Sequence, residues 1–369
     1  MALALYRKYR PQTFKEVVGQ EHIVKTLSNA IASGMISHAY LFSGPRGSGK
    51  TTIARLLAKA VNCEKRKEGE PDACDECDSC LEIRKGKAID LIEIDAASHR
   101  GIDEIRDLRE GIKFGPTKAK YKVFIIDEAH QLTKEASNAL LKTLEEPPSY
   151  AIFILATTEI HKMIPTIISR CQRFDFRKLT LDEIIQKLEF IAKQENIKIE
   201  KPALKLIAIH AGGAIRDAES LLDRVSAFSL KDKKGITVEE IKDLLGLVET
   251  KIISDFIEFI IDKKTSSAII FLNDLINRGQ DAQEFSRALI NYLRQMLILK
   301  ISGERDNNHF LITGLTEEEI DNLEKQAEKF KIEEIQEIID IFLQSDNKIK
   351  YSLIPQLPLE LAIVEITID

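Results

Sequence analysis

Residues 44–51 read Gly44-Pro45-Arg46-Gly47-Ser48-Gly49-Lys50-Thr51. This run matches G-x-x-x-x-G-K-[ST], a pattern in which the backbone N–H groups of a glycine-rich turn surround phosphate groups. The apolar run 38–43 predicts a buried strand before the turn, and the periodic apolar residues of 52–60 predict a helix after it. Because a helix N-terminus adds positive potential here, the sequence predicts a site for a nucleoside triphosphate.

Two side chains of this run have predicted roles. Lys50 is expected to reach the β- and γ-phosphates, and the Thr51 hydroxyl is expected to ligate Mg²⁺. The competing interpretation is a glycine-rich connection that fits the pattern by chance. The strand and the helix on either side argue against it.

A second apolar run ends in two carboxylates. Residues 122–126 read Lys-Val-Phe-Ile-Ile and precede Asp127 and Glu128, which is typical of a buried parallel strand with acids at its C-terminal tip. Asp127 is expected to act on Mg²⁺, directly or through its waters, and Glu128 to polarise the water that attacks the γ-phosphate. The alternative is an acidic pair that caps the next helix.

The third apolar run, 151–156, predicts another buried strand, and it ends in Thr157 and Thr158. Hydroxyls at a strand tip between the strand 38–43 and the strand that ends in Asp127 could orient the attacking water, or they could start a turn. Arg170 follows this strand and a short helix, a place where arginines usually lie on the surface. Arg216 lies in the first turn of a helix, where a cation is unfavourable, so it is either functional or an ordinary surface arginine.

Four cysteines fall in the pattern C-x₁₀-C-x₂-C-x₂-C: Cys63, Cys74, Cys77 and Cys80. Short C-x₂-C turns place two sulfurs on one ion, so the spacing predicts a closed, structural zinc site. An iron–sulfur cluster also uses four cysteines, and the spacing alone leaves it open.

The composition limits the class of protein. A chain of 369 residues, 44% hydrophobic and 30% charged, is long enough for two or three domains. Its net charge of −6 argues against a broadly basic surface but leaves local DNA contacts possible. It has no apolar run of membrane-spanning length and no signal-peptide pattern, so we expect a cytoplasmic protein with no membrane partner.

Several of these segments together resemble one family. They are Tyr9-Arg10-Pro11, the run 38–44, Asp127-Glu128-Ala129-His130, Ala156-Thr157-Thr158, Ser169-Arg170-Cys171 and the four-cysteine insert. In this combination the chain resembles the γ/τ subunits of the bacterial DNA polymerase III clamp loader, which are AAA+ ATPases. The resemblance covers nearly all of residues 1–230.

The resemblance implies a three-part fold. An α/β P-loop AAA+ ATPase core (1–178) would contain the zinc module (63–80). A small helical lid (179–243) would follow, and helical periodicity from there to about residue 345 agrees with an all-helical collar and oligomerisation domain (244–369).

The resemblance also implies site residues. Arg170 would be an arginine finger that reaches a neighbouring subunit's ATP, Thr158 the sensor 1 residue with Thr157 beside it, and Arg216 the sensor 2 residue. The catalytic set would then be Lys50, Asp127, Glu128, Thr158, Arg170 and Arg216. The nucleotide-binding set would be Gly44–Thr51, Thr52, Arg216 and four N-terminal residues, Tyr9, Arg10, Val17 and Val18.

The implied function is that of an ATP-driven motor subunit that loads a sliding clamp onto primer-template DNA, with ATP, Mg²⁺ and Zn²⁺ bound. The implied partners are δ, δ′ and further γ/τ copies in a five-subunit ring, the β clamp, the DNA backbone and, for a longer τ form, the polymerase core. Two alternatives stay open. One is a ring helicase or branch-migration motor, and the other is a non-hydrolysing δ′-like assembly subunit, which the intact run Gly44–Thr51 disfavours.

Overall fold

The computed structural model describes residues 3–98, 111–112, 114–228, 235–246, 248–302 and 317–368. The chain forms two compact units, residues 1–236 and residues 237–369. Among the helices of the described ranges, none combines the length and apolar character needed to cross a membrane.

The first unit is built on a parallel five-stranded sheet with the order β2-β3-β4-β1-β5. Its strands are β1 (Ala39–Ser43), β2 (Leu91–Asp95), β3 (Lys122–Asp127), β4 (Ala151–Thr157) and β5 (Gln172–Asp175). β4 lies between β1 and β3, as the sequence predicts for the strand that carries the threonines. Because all strands run parallel, the tips of β1, β3 and β4 meet at one edge of the sheet.

Helices cover both faces of this sheet, as expected for parallel strands. On one face the rings of Tyr40, Phe42 and Phe174 pack with the helices 21–32 and 50–61, and on the other Phe124 stacks on Phe153 with ring centroids 5.1 Å apart. The helices of this unit are α1 (Leu5–Lys8), α2 (Glu21–Ala32), α3 (Lys50–Val61), α4 (Asp78–Lys85), α5 (Lys134–Glu145), α6 (Pro165–Ile168), α7 (Leu181–Gln194), α8 (Lys201–His210) and α9 (Ile215–Phe228).

The second unit is helical over its described residues. Its helices are α10 (Val238–Leu245), α11 (Thr250–Ile261), α12 (Thr265–Asn277), α13 (Ala282–Ser302), α14 (Glu317–Glu328), α15 (Ile332–Ile349) and α16 (Leu357–Thr367). Phe256 lies at the centre of their core, with its ring edge-on to Phe285 at 5.1 Å and to Phe342 at 6.5 Å. The predicted fold class, an α/β core followed by helical regions, is confirmed. The boundaries of the three predicted domains stay a prediction.

Candidate nucleotide site and metal centre

The glycine-rich turn joins β1 to α3 in a conformation that needs glycine. Gly44 has φ 149°, and a Cβ there would lie 2.5 Å from the carbonyl oxygen of Phe176. Gly47 has φ 74°, and a Cβ there would lie 2.9 Å from the Cβ of Ala214, in the turn before α9. The turn is therefore packed against the start of that helix at a point where no side chain fits.

Lys50 is 6% exposed and reaches back over this turn. Its Nζ donates to the carbonyl oxygens of Gly44 at 2.8 Å and Pro45 at 2.9 Å. Burial lowers the pKa of Lys50, and the negative charges of Glu128 and Asp127 act against that shift. The ammonium group thus lies within the electrostatic reach of both carboxylates.

Thr51 and Asp127 bring a hydroxyl and a carboxylate together. The Thr51 Oγ1 donates to Asp127 Oδ2 at 2.8 Å, and Asp127 Oδ1 accepts from the backbone N–H of Glu128 at 3.0 Å. Hydroxyl and carboxylate oxygens are the hard ligands that Mg²⁺ uses in phosphate sites. These two residues from α3 and β3 therefore fit a magnesium ion.

Glu128 has a backbone that is unusual for a residue with a side chain, with φ 48°. Such a left-handed conformation costs free energy and is found most often at functional sites. Glu128 Oε2 accepts from the Oγ1 of Thr158 at 2.9 Å and from its backbone N–H at 3.3 Å. The tip of β4 thus holds the carboxylate that ends β3.

His130 is a member of this site that sequence reasoning missed. Its side chain is 3% exposed, and its Nδ1 lies 2.9 Å from Thr157 Oγ1 and 3.5 Å from Glu128 Oε2. The signals in the sequence are its place three residues after Asp127 and its membership of the segment Asp127-Glu128-Ala129-His130 that resembles the family. A short helical turn, Ala129–Gln131, brings its ring back beneath the strand tips.

Three of the four predicted arginines lie in different surroundings. Arg10 Nε donates to Thr52 Oγ1 at 3.2 Å, in the first turn of α3. Arg216 stands over the ring of Tyr6, 5.0 Å from its centroid. Arg170 is one-third exposed at the end of α6 and pairs with Glu145 of α5 at 2.7 Å.

The pKa of Arg10 is shifted by burial and by charged residues of the candidate nucleotide site. Burial, and then the positive charge of Arg55, lower this pKa to about 10, and Arg216 acts in the same direction. The charges of Glu93 and Asp127 act against the shift. Arg10 is therefore coupled electrostatically to residues at the tip of β3 and at the start of α9.

The remaining predicted binding residues contribute less to the geometry. Tyr9 packs its ring edge-on against Phe190 of α7 and donates its hydroxyl to Glu195. Val17 packs against the core beside β1, and Val18 is half-buried. In the glycine-rich turn, Arg46 is exposed, whereas Ser48 is buried and its Oγ donates to the carbonyl oxygen of Pro45 at 2.8 Å. Their roles toward a nucleotide stay predictions.

The four cysteines converge after α3 and in the first turn of α4. Their sulfurs all lie within 4.8 Å of one another, and the pairs Cys63–Cys77 and Cys74–Cys80 are each separated by 4.0 Å. Four sulfurs at about 2.3 Å from a tetrahedral ion lie about 3.8 Å apart, so the cluster fits a single zinc ion. A cluster of several irons would hold its four sulfurs farther apart.

The cysteines differ in how readily they ionise. Burial raises the pKa of Cys63 and of Cys80. Burial also opposes ionisation of Cys74, but the backbone N–H groups of Glu76 and Cys77 outweigh it and lower that pKa to about 7. A cation with a strong preference for thiolates would therefore displace protons from this cluster as it binds.

Comparison with known proteins adds the family. A family model described as DNA polymerase III, delta subunit matches residues 19–180, a clamp loader subunit ATPase lid domain matches 183–231, and gamma and tau domain III matches 236–368. DNA polymerase III subunit gamma of Buchnera aphidicola is 37% identical over 362 residues, which are 98% of this chain and 98% of that protein. The chain belongs to the DNA polymerase III gamma/tau family. The resemblance read from the sequence is thereby confirmed.

Gamma/tau proteins differ in length. DNA polymerase III subunit tau of Bacillus subtilis is 45% identical over 98% of this chain, but the chain spans only 63% of that protein. Among solved structures, the Thermotoga maritima RuvB Holliday junction branch migration motor has a TM-score of 0.49 and 20% identity, over 69% of this chain and 79% of that one.

Proposed function

We propose that this chain is the ATP-hydrolysing motor subunit of a DNA polymerase III clamp loader. The observation that carries the proposal is the meeting of Lys50, Thr51, Asp127 and Glu128 at one edge of the sheet, where the tips of β1 and β3 lie on either side of β4. Lys50 and the turn come from β1 and α3, and the two carboxylates come from β3. Membership of the gamma/tau family supports the clamp-loader part of the proposal.

Each of these residues has a separate task in phosphoryl transfer. Lys50 would bind the β- and γ-phosphates, and Glu128 would orient and polarise the attacking water. Thr51 and Asp127 would hold Mg²⁺, which neutralises charge on the phosphate oxygens when bound. Thr158, through its hydrogen bonds to Glu128, would fix the direction of that carboxylate toward the water.

Residues around the turn would complete the nucleotide site. Arg10 donates a hydrogen bond to Thr52. Arg216 comes two residues after Ala214, which packs against Gly47 of the glycine-rich turn. We assign Arg216 to the γ-phosphate as the sensor 2 residue, and Arg170, whose described partners lie on α5 and α6, to the nucleotide of a neighbouring subunit. Zinc in the four-cysteine cluster would have a structural role, since the closed set leaves no open position for chemistry.

The partners follow from the family and are part of the proposal. They are further copies of this chain and δ and δ′ subunits in a five-membered ring, the sliding clamp, and primer-template DNA held by its backbone. A branch-migration motor or ring helicase is disfavoured by the gamma/tau relatives. A δ′-like subunit without hydrolysis is disfavoured by the complete run Gly44–Thr51.

The test measures ATP hydrolysis and clamp loading with the purified chain and its reconstituted complex. Lys50→Ala should remove nucleotide binding and hydrolysis while the protein stays folded, because it deletes the phosphate contact and two hydrogen bonds from a turn that the glycines shape. Lys25→Ala, an exposed lysine of α2, is the matched control and should behave as the unaltered protein. ATP-driven strand displacement without clamp loading would overturn the proposal.

A further inference from the structure

Lys59 is a buried cation on the same helix as the phosphate-binding residues. It lies in α3, and its side chain is 4% exposed. A buried ammonium group is costly unless it is paired. Its Nζ donates to the carbonyl oxygen of Gln12 at 2.6 Å and to Asp75 Oδ1 at 2.7 Å. One cation thus joins α3, the N-terminal segment and the four-cysteine module.

Asp75 is held in place by the cysteine module. It lies between Cys74 and Cys77, with φ 60°, in the left-handed region that aspartate, unlike most residues with a side chain, adopts as a single residue in tight turns. Its second oxygen accepts from Arg84 Nη1 of α4 at 3.3 Å. The position of this carboxylate therefore depends on the turn that brings the two sulfurs together.

The N-terminal segment, residues 10–14, is bound at three points. Arg10 Nε donates to Thr52 Oγ1, Gln12 accepts from Lys59, and the backbone N–H of Phe14 donates to Asp72 Oδ1 at 2.7 Å. Asp72 belongs to the same polar loop that precedes Cys74. The cysteine module therefore fixes the segment that presents Arg10 at the first turn of α3.

We propose that Lys59 and Asp75 are positioning residues that make nucleotide affinity depend on the folded cysteine module. The inference rests on the proposed ATP site. An ordered Asp75 fixes Lys59, both hold the segment at Gln12, and the segment keeps Arg10 beside Thr52. Loss of the metal from the four sulfurs frees Asp75 and lowers nucleotide affinity before the first unit unfolds.

Equilibrium binding of a fluorescent ATP derivative to the full chain tests this coupling. Lys59→Met keeps the aliphatic stem and removes the ammonium group, and Asp75→Asn keeps the shape and removes the charge. Each should raise the Kd about fivefold or more, the lower end of the usual range for coupling between two sites. Asp75→Asn supplies the answer if Lys59→Met does not fold.

Lys118→Met is the matched control. Lys118 pairs with Glu82 of α4 at 3.2 Å, but its side chain is 66% exposed and its partner is outside the Asp75 turn. The Kd should stay unchanged in this variant. A merely structural role for Lys59 would lower the thermal midpoint and leave the Kd of the folded protein unchanged, which would overturn the proposal.

Metal removal provides the second arm. A strong chelator should raise the Kd of the unaltered protein and should raise that of Lys59→Met much less, because the connection is already broken. Equal effects of the chelator on both proteins would contradict the coupling. If the unaltered, metal-loaded protein binds no ATP, the proposed function itself is overturned. If it binds ATP normally and the variants bind ATP equally well, only the coupling is overturned.

Discussion

At the scale of single residues, the carboxylate of Glu128 is the group whose chemistry can be tested most directly. It lies 29% exposed at the tip of β3 and accepts two hydrogen bonds from Thr158. Glu128→Gln keeps the shape but cannot polarise water as a base. The variant should bind ATP normally and hydrolyse it about 10²- to 10⁴-fold more slowly, as measured by phosphate release under saturating ATP.

A neighbouring glutamate controls for local charge. Glu159 lies beside His130, the histidine that also contacts Glu128. Its Oε1 is 3.8 Å from His130 Nε2, and its carboxylate pairs with Lys162. Glu159→Gln should therefore leave turnover within about twofold of the unaltered protein, since general-base catalysis belongs to another group. Normal turnover in Glu128→Gln, or an equal loss in both variants, would show that the base is assigned wrongly.

The residues that could be predicted are those whose signal is local. Lys50 and Thr51 share one run, and Asp127 and Glu128 end one apolar strand, so spacing alone identifies them. The contacts of His130 with Thr157 join residues 27 positions apart and depend on the strand order. A pattern within one segment carries no such information.

At the scale of elements, the cysteine module should behave as a unit that stabilises α3 and α4. Cys77→Ser removes one of four ligands, so metal analysis should fall from about one zinc per chain to well below it. The thermal midpoint should fall, whereas the rate of ATP hydrolysis per folded molecule at saturating ATP should change less. Cys171→Ser, outside the cluster, should retain the metal. Iron in place of zinc, or no metal, would contradict this prediction.

Helix α9 contains a carboxyl group that makes stability depend on pH. Glu219 is 6% exposed, and burial raises its pKa to about 7, with Lys187 acting against the shift. Between about pH 4.5 and about pH 7 the folded chain keeps a proton that the unfolded chain has lost. The free energy of unfolding should therefore fall as pH rises through this window, by about 3 kcal/mol at most.

Glu219→Gln removes that dependence. The variant should be more stable than the unaltered protein above about pH 7 and should show a shallower pH profile in denaturant unfolding. Glu189→Gln, an exposed change on α7, is the control and should leave the profile unchanged. A profile that Glu219→Gln does not alter would mean that the carboxyl group is ionised in the folded chain.

Element prediction succeeded where apolar residues keep a clear period. Thr180 and Glu183 have the T-x-x-E spacing of a capping box ahead of an apolar run, and the structure contains both of its hydrogen bonds at the start of α7. The apolar pattern predicts neither α4 nor α16 clearly. α4 is short and begins at Asp78, inside the cysteine pattern, and α16 is apolar on most sides with prolines at its start, so neither shows a helical stripe.

At the scale of the whole molecule, Arg170 is expected to act on the nucleotide of another subunit. Its guanidinium is held at the end of α6 by Thr166 O at 2.8 Å and by Glu145, while Lys50 and Glu128 lie at the tips of β1 and β3. Arg170→Ala should therefore keep the nucleotide affinity of the isolated chain. In the assembled complex it should lose stimulated hydrolysis, on the order of 10³-fold for fingers of this kind.

Mixing two defective subunits separates action in trans from a structural role. In a ring that contains Arg170→Ala and Lys50→Ala chains, some interfaces combine an intact phosphate-binding turn from the first with an intact arginine from the second. Those interfaces should recover part of the hydrolysis that each variant lacks alone. Arg173→Ala removes an exposed arginine of β5 that pairs with Asp175, and it controls for the loss of surface charge. A ring in which every copy of this chain carries Arg173→Ala should hydrolyse ATP without any added second variant. The mass of the mixed ring would show whether it assembles. If it assembles and still hydrolyses no ATP, Arg170 does not act on the nucleotide of a neighbour. Its ion pair with Glu145 would then indicate a structural or DNA-contacting residue.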